Sequence, residues 1–250
     1  MTIVVDIGNS QMKWARVVED GLVDINQAVH AADGLRAHES FRAVLTQAPE
    51  RVVVANVAGD AFLAQLRAEV VEHGGELVVV VASAAQYDVK CAYADPSRLG
   101  ADRWVGVVAA HRLIAGPACI IDAGTTVTLD AVTRNGKHLG GLIMPGPKLA
   151  AAALSCETRG IGTTALAESA PSGLDLLGTS TNDAVAHGTM LGNAAAIDRA
   201  TRAVAKAIGD RLTVVLTGGG AAALEPWLET EVSLRPHFIL EGLAYIASAS

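Results

Sequence analysis

Two aspartates occupy equivalent places in a short pattern that this chain contains twice. Residues 4–10 and residues 120–126 each show an apolar strand, then an aspartate, a glycine and small polar residues. The two acids, Asp6 and Asp122, lie 116 positions apart. A hairpin turn does not need an acid, so an acid at the same place in both copies indicates a shared chemical task. We interpret the copies as two phosphate- and cation-handling units that face each other across a cleft.

The first copy carries groups that suit a phosphate and a metal ion. Gly8 allows the backbone to approach a phosphate closely, and successive N–H groups in such a turn form a concavity that binds anions. Lys13 adds a positive charge, and the expected use of Asp6 is to hold a hydrated Mg²⁺. The alternative is a plain hairpin with a turn-forming aspartate. The second copy disfavours that alternative, because Thr125 and Thr126 again supply hydroxyl and N–H groups.

An acid and an arginine stand together at the start of a predicted helix over residues 100–114. Arg103 could bind a carboxylate in a forked geometry. Asp102, beside a substrate hydroxyl, could act as general base for attack on a phosphoryl group. The alternative is that Asp102 is only a first-turn acid favoured by the helix dipole. Spacing alone leaves both interpretations open.

Two further segments are rich in glycine. Residues 140–146 form a glycine-flanked strand end, and residues 217–220 form a turn between a buried strand and a helix. Glycines at such places indicate close approach of the backbone to a ligand or to a neighbouring element. The second segment could let a nucleotide base or ribose lie flat on the backbone, but ordinary packing explains both segments equally well.

Composition narrows the class of protein. The chain has 250 residues, of which 51% are hydrophobic and 18% charged, and its formal net charge is −7. These values favour an ordered globular fold. The sequence has no basic stripe for nucleic acid and no apolar run of membrane-spanning length, so we expect neither partner. Three cysteines without metal-ligand spacing, and an N-terminus without a secretion signal, favour a cytoplasmic location.

The periodicity predicts an α/β fold of two similar lobes, residues 1–116 and 117–250. Each lobe begins with three consecutive strands and continues with alternating helices and strands, which implies mixed sheets with helices on their faces. The predicted strands cover residues 2–7, 11–18, 22–29, 52–55, 77–81, 118–122, 125–133, 137–143 and 212–216. The predicted helices cover residues 35–47, 60–73, 100–114, 148–155, 182–208 (with a break near Gly192) and 238–248, and residues 83–98 and 157–180 are predicted to be irregular.

The motifs, in this order and spacing, resemble those of the type III pantothenate kinases, within the actin, Hsp70 and sugar-kinase superfamily of ATP-binding folds. The resemblance runs from residue 2 to about residue 245. It implies two RNase H-like lobes, each a βββαβα unit, with an interlobe active-site cleft. Ser10 departs from a commoner Thr, and Ala123 departs from the Phe of many members. The matching segments are residues 6–13, 100–103, 122–126, 140–146 and 180–184.

The resemblance implies transfer of the γ-phosphoryl group of ATP to the 4′-hydroxyl of pantothenate, the first step of coenzyme A biosynthesis, by a homodimer. Asp102 would be the proton acceptor, Asp6 would hold the Mg²⁺ that accompanies ATP, and Asp122 matches a site for K⁺ or NH₄⁺. The residues expected to contact ATP are Asp6, Ile7, Gly8, Asn9, Ser10, Gln11, Met12, Lys13 and Thr125. The residues expected to contact pantothenate are Tyr93, Gly100, Ala101, Asp102, Arg103 and Thr181.

Two other functions stay open at this point. The same fold serves ATP-binding regulatory proteins, which would not need Asp102 and Arg103 beside a pocket for a small carboxylate. It also serves kinases of other small molecules, such as a sugar or acetate. The Ala-rich helix over residues 182–208 is expected to need a partner surface, which favours a homodimer. Thr181 could then serve its own active site or that of the other subunit.

Overall fold

The protein consists of two compact units, each built around its own five-stranded sheet. The computed structural model describes residues 1–29, 34–167 and 169–249. The first unit contains Met1–Leu113 and the C-terminal His237–Ser250, and the second contains Ile114–Pro236. The two sheets have the same topology, which confirms the predicted α/β fold with a duplicated unit.

The first unit is a mixed sheet with helices packed on it. Its strands are β1 (Thr2–Ile7), β2 (Gln11–Val18), β3 (Gly21–Val29), β4 (Arg51–Asn56) and β5 (Glu76–Val79), followed by a short hairpin of β6 (Ala85–Gln86) and β7 (Val89–Lys90). Its helices up to residue 113 are α1 (Glu39–Leu45), α2 (Asp60–Glu72) and α3 (Ala101–Leu113), with 3₁₀ turns at Gly34–Ala37 and Pro96–Arg98. The strand order is β3-β2-β1-β4-β5, with β1 antiparallel to β2 and parallel to β4.

The second unit repeats this arrangement. Its strands are β8 (Ala118–Ala123), β9 (Thr126–Val132), β10 (His138–Pro145), β11 (Thr213–Thr217) and β12 (Ser233–Leu234). Its helices are α4 (Pro147–Glu157), α5 (Thr181–Ile208) and α6 (Ala221–Leu224), with 3₁₀ turns at Gly173–Leu176 and Glu225–Trp227. The strand order is β10-β9-β8-β11-β12, and β8 pairs antiparallel with β9 and parallel with β11.

Aliphatic side chains fill the core of each unit, as the scarcity of aromatic residues requires. In the first unit, Ile3, Val5 and Ile7 of β1 pack with α1 and α2, and the rings of Trp14 and Phe41 meet edge-on at 5.2 Å. In the second unit, the core lies between the sheet and α5. None of the helices in the described ranges combines the length and the apolarity that a membrane span requires.

The last helix, α7 (Phe238–Ala249), packs against α3 and β1 of the first unit. Gly242 lies where α7 crosses α3, since a Cβ at this position would be 2.8 Å from Val105 Cγ1 and 2.9 Å from Ala109 Cβ. Arg51 at the start of β4 also donates a hydrogen bond of 3.0 Å to the carbonyl oxygen of Ala247. The sequence assigned residues 117–250 to the second lobe, whereas these contacts join the last helix to the first sheet.

Three local predictions differ from the structure. The segment predicted to be irregular before residue 98 contains the β6–β7 hairpin, and the helix predicted over residues 35–47 is a 3₁₀ turn followed by the shorter α1. The predicted break near Gly192 is wrong, because α5 is continuous over 28 residues. A single glycine costs a helix about 1 kcal/mol, which the surrounding alanines and the packed face of α5 outweigh.

Cys119 is fully buried on β8. Burial raises the pKa of its thiol to about 12, and the nearby charge of Asp130 adds to the effect. Asp130 itself is buried and pairs with buried His138, whose Nε2 lies 3.0 Å from its Oδ1. A thiol held in this environment is protonated at neutral pH and is not a nucleophile.

A buried carboxylate connects α5 to the chain that follows the 3₁₀ turn at Glu225–Trp227. Asp198 is 3% exposed, and its two oxygens accept hydrogen bonds from the backbone N–H groups of Glu229 at 3.0 Å and Thr230 at 2.9 Å. The Thr201 hydroxyl lies 3.1 Å from that of Thr230. Loss of the carboxylate would leave two N–H donors without their acceptor, at about 1–3 kcal/mol each.

We predict that Asp198→Ala lowers the free energy of unfolding by about 2–4 kcal/mol, as measured by urea denaturation followed by circular dichroism. The matched control is Arg199→Ala, because Arg199 is the exposed neighbour on the same helix and its removal should cost less than about 0.5 kcal/mol. Similar small losses in both variants would contradict this role of Asp198.

Candidate functional site

The two aspartates of the repeated pattern occupy the same place in the two sheets. Asp6 is the last residue but one of β1, and Asp122 is the last residue but one of β8. Each lies in the central strand of its sheet, at the edge where the strand runs into a glycine turn. Both are partly exposed, although the residues on either side of each are buried. The sheet topology therefore presents one carboxylate at the same edge of each unit.

The cross-strand partners of the two acids differ. Asp6 lies opposite Lys13 on β2, whereas Asp122 lies opposite Thr128 on β9. The first acid thus has a lysine as its cross-strand neighbour. The second has a hydroxyl in the equivalent place, so the two carboxylates have chemically different cross-strand neighbours.

The two turns also differ in length. The N–H of Gly8 donates to the carbonyl oxygen of Gln11 at 3.0 Å, and the N–H of Gly124 donates to that of Thr126 at 3.0 Å. The second turn is therefore one residue shorter. In the first turn Asn9 and Ser10 are exposed, so their polar groups face solvent rather than the core.

Two residues of the first predicted ATP motif have their side chains in the core. Ile7 and Met12 are fully buried and belong to the cluster that α1 and α2 cover. Only their backbone groups are left for a ligand. The exposed end of the motif is the turn itself, with Lys13 on the strand that follows.

The glycine turn at residues 217–220 closes over the second aspartate. Gly218 has a φ of +95°, and a Cβ there would overlap the Asp122 carboxylate and lie 2.6 Å from the carbonyl oxygen of Ala123. The N–H of Gly220 donates to the same carbonyl oxygen at 2.7 Å. The conformation and the lack of space both require glycine at position 218.

The glycine after β10 closes the same turn from another side. A Cβ at Gly146 would lie 2.6 Å from the carbonyl oxygen of Thr125 and 2.7 Å from that of Gly124. The N–H of Gly146 donates to the Thr125 carbonyl oxygen at 3.0 Å. The sequence indicated both glycine segments, because each lies at the end of a strand. It did not indicate that the two segments enclose the second turn.

Asp102 stands at the start of α3, as predicted. Its Oδ1 accepts a hydrogen bond of 2.7 Å from the N–H of Arg103, and the first helical bond runs from Trp104 N–H to the Gly100 carbonyl oxygen at 2.9 Å. A Cβ on Gly100 would lie 2.6 Å from Asp102 Oδ1. Glycine at position 100 therefore leaves the space that this orientation of the carboxylate needs.

Arg103 and Tyr93, ten residues apart in the chain, are in contact. The guanidinium Nη1 donates to the Tyr93 hydroxyl at 3.0 Å, and Arg103 is only 8% exposed. Between them, Asp95 caps the 3₁₀ turn by accepting hydrogen bonds from Ser97, which hold the pKa of the Asp95 carboxyl below its ordinary value. The structure thus brings together the predicted substrate residues on both sides of this turn.

Thr181 is the exposed first residue of α5. The helix begins with a capping box, in which Ser180 Oγ accepts from the Asp183 N–H at 3.1 Å and donates to the Asp183 carboxylate at 2.7 Å. Gly178 lies directly against the backbone of Asp183 and Ala184, where a Cβ has no space. A long helix with a well-formed N-terminus places Thr181 at the positive end of its dipole.

The segment before α5 is irregular, as predicted, and side chains of α5 anchor it. His187 Nδ1 donates to the carbonyl oxygen of Leu176 at 2.9 Å, and Thr164 Oγ1 lies 3.4 Å from Asn182 Oδ1. Within the described parts of the chain, no three His, Cys, Asp or Glu side chains converge to hold a metal ion. A metal at either aspartate would therefore take most of its oxygen ligands from backbone, water or a bound phosphate.

Comparison with known proteins identifies a family. A family model described as type III pantothenate kinase matches residues 2–203. A type III pantothenate kinase of Nitrosococcus oceani is 35% identical over 99% of this chain and 94% of its own length. One of Halorhodospira halophila is 33% identical over 98% and 97%. In structure, the chain is similar to a candidate 2-dehydro-3-deoxygalactonokinase of Sinorhizobium meliloti, with a TM-score of 0.62. The match covers 100% of this chain and 99% of the other, and at 17% identity it is a likeness of fold.

We predict that Gly218→Ala lowers the free energy of unfolding by at least about 2 kcal/mol, measured by chemical denaturation. The variant must both adopt an unfavourable positive φ and displace the Asp122 carboxylate. The matched control is Gly162→Ala, which adds a methyl group in open space without a positive φ and should change stability by less than about 0.5 kcal/mol. A Gly218→Ala variant as stable as the control would show that the glycine turn yields easily around the aspartate.

Proposed function

This chain belongs to the type III pantothenate kinase family, and we propose that it transfers the γ-phosphoryl group of ATP to the 4′-hydroxyl of pantothenate, the first step of coenzyme A biosynthesis. The observation that carries this proposal is the cluster at the start of α3. It combines a carboxylate, a guanidinium and a phenol at the residues that the family resemblance assigns to the acceptor. The curated relatives align over nearly their whole length, so the chain has room for the complete activity.

On the acceptor side, three side chains of the first unit have complementary tasks. Arg103 and Tyr93, already joined by a hydrogen bond, would together bind the carboxylate end of pantothenate. Asp102 would receive the proton of the attacking hydroxyl. Because phosphoryl transfer passes through a loose transition state, the main effect of Asp102 is to orient that hydroxyl in line with the phosphorus. Gly100 and Ala101 would line the pocket with backbone.

On the phosphate side, the turn after β1 would bind ATP with residues 8–10 and with Lys13, whose charge lies opposite Asp6 in the sheet. Backbone N–H groups and one ammonium group stabilise the charge that develops on the transferring group. Thr125 in the second turn is also assigned to ATP by the family resemblance, and its hydroxyl would contact the nucleotide. Both turns are exposed at their tips, which suits access of a nucleotide.

The two aspartates would hold the cations. Asp6 is a single carboxylate at a strand end, which fits Mg²⁺ that takes its other ligands from water and the phosphates of ATP. Asp122 lies beside the backbone oxygens of the second turn and faces a hydroxyl, which fits K⁺ or NH₄⁺. When bound, these cations neutralise phosphate charge.

Apolar side chains on one part of the second unit support a homodimer. They lie on the edge strand β10 and on the helices α4 and α5, and α4 contacts both β10 and α5. The exposed members are Leu139, Leu142, Ile143, Leu149, Leu154 and Leu191. A group of this kind is typical of a surface that another chain covers. We propose that two copies associate through it, in the cytoplasm, and that Thr181 at the start of α5 contributes to a pantothenate site.

We predict that the purified protein releases ADP only when pantothenate accompanies Mg-ATP, and that Asp102→Asn lowers kcat at least about 100-fold. The Asn side chain keeps the acceptor for the Arg103 N–H, so the fold should be unchanged. The control is Asp60→Asn, which alters an exposed first-turn acid of α2 and should leave kcat within about twofold. A kcat for Asp102→Asn close to wild type, or phosphorylation of a sugar but not of pantothenate, would contradict the proposal.

We predict that turnover requires K⁺ or NH₄⁺ and falls at least about tenfold when Na⁺ replaces them at equal ionic strength. Asp122→Asn should remove most of the stimulation by K⁺, because the variant lacks the charge that attracts the ion. The assay is ADP release with a titration of each salt. Equal turnover in K⁺ and Na⁺ would reject the cation site but would not contradict the kinase activity.

We predict a dimer in sedimentation velocity at micromolar concentration, and a shift toward monomer in Ile143→Glu, which places a charge on the exposed apolar surface of β10. Val71→Glu is the matched control, because Val71 on α2 is 64% exposed and Ile143 is 63% exposed. A wild-type monomer, or equal effects of the two variants, would reject this surface as the dimer contact.

A further inference from the structure

The segment of residues 85–93, which we name the strap, is attached to α3 by two arginines. At the turn of its hairpin, Arg112 pairs with the carboxylate of Asp88. At its last residue, Arg103 donates to the Tyr93 hydroxyl at 3.0 Å. The two arginines are nine residues apart on one helix, a rise of about 13 Å. Five residues of extended chain from Asp88 to Tyr93 span a similar length, about 16 Å.

The two-residue turn of the strap lacks the glycine that a turn of this type prefers. Tyr87 and Asp88 join β6 to β7 with φ values of +55° and +60°. Two-residue hairpins with positive φ at both positions strongly prefer Asn-Gly or Asp-Gly, and a left-handed conformation is unfavourable for a bulky residue such as Tyr. The two side chains therefore contribute something other than the turn.

Both side chains contact one cluster, which includes the C-terminal helix. The ring of Tyr87 meets the ring of Tyr245 on α7 edge-on, with centroids 6.4 Å apart. The guanidinium carbon of Arg112 lies 5.1 Å above the same Tyr245 ring. Arg112 thus bridges the Asp88 carboxylate and an aromatic face. A planar guanidinium suits both partners, whereas a lysine would not.

The path from this cluster to Tyr93 is short and well connected. Val89 is 1% exposed, and the N–H of Cys91 donates to the carbonyl oxygen of Ala84 at 3.0 Å, which closes the base of the hairpin. The N–H of Tyr93 in turn lies 3.4 Å from Cys91 Sγ. The placement of the hairpin on α3 therefore determines where the strap delivers the Tyr93 ring.

We propose that Arg112 is a positioning residue for the acceptor pocket, which it controls by holding the strap through Asp88 so that Tyr93 reaches Arg103. The inference rests on the proposed function, in which Tyr93 binds pantothenate. Arg112 itself touches neither substrate in this account. Its loss should therefore weaken pantothenate binding and leave ATP binding and the chemical step unchanged.

The test compares Asp88→Asn, Arg112→Gln and the double variant. Asn tolerates a positive φ, so the hairpin should survive the loss of its charge. We expect each single variant to raise KM for pantothenate about three- to tenfold, with kcat and KM for ATP within about twofold of wild type. The double variant should match the single variants rather than multiply them, because both changes remove one interaction. Arg112→Lys keeps the positive charge, so it should raise KM for pantothenate less than Arg112→Gln does, although not leave it at the wild-type value.

A second readout separates this inference from the proposed function. Arg112→Gln should increase amide hydrogen exchange at residues 89–93 whether or not the protein acts on pantothenate, whereas Arg67→Gln on the exposed face of α2 should leave it unchanged. An active wild type whose KM for pantothenate is unaffected by the variants would overturn the role of Arg112, as would equal rises in both KM values. An inactive wild type with the expected exchange pattern would reject the proposed function but would still support the attachment of the strap to α3. Unchanged exchange would reject the attachment itself.

Discussion

The place of each aspartate depends on the register of the central strand. In the first sheet, Asp6 lies opposite Lys13 on the antiparallel neighbour and beside Ala55 on the parallel one. A slip of one residue would turn Asp6 toward the face that α1 and α2 cover, and would turn Val5 and Ile7 away from that face. Because both of these apolar residues are fully buried, the hydrophobic effect that fixes the strand also fixes the carboxylate at its exposed edge. Site geometry here is a consequence of core packing.

The same constraint acts in the second sheet, but the surroundings give the acid a different character. Asp122 has the hydroxyl of Thr128 opposite it, where Asp6 has an ammonium group. Its turn is shorter, and Gly146 and Gly218 bring backbone to within contact of it. The two sheets therefore repeat one scaffold with different local chemistry, and under the proposed function these differences would suit one edge to a phosphate and the other to a cation.

Local signals made much of this predictable from the sequence. Apolar strands and the turn signals at Gly8-Asn9, Asp20-Gly21 and Asn135-Gly136 indicated both three-strand meanders, and helical periodicity indicated the helices that cover the sheets. Long-range contacts and unfavourable conformations were not predictable. The place of α7 depends on how Gly242 meets α3. The hairpin at residues 85–90 was missed because its turn residues, Tyr87 and Asp88, include no glycine, and because a positive φ is unfavourable for the bulky Tyr87. The closure of Gly218 over Asp122 joins segments 96 positions apart.

Helix α3 gives the acceptor cluster its rigidity. Residues 103–110 are buried without interruption, so the helix has no exposed face along which it can shift. A well-buried helix suits a site whose side chains must be positioned to within about 0.5 Å. For the proposed reaction, a carboxylate at the start of so well buried a helix suits a role in which Asp102 aligns the hydroxyl by accepting its hydrogen bond, and in which the proton moves only as the bond to phosphorus forms.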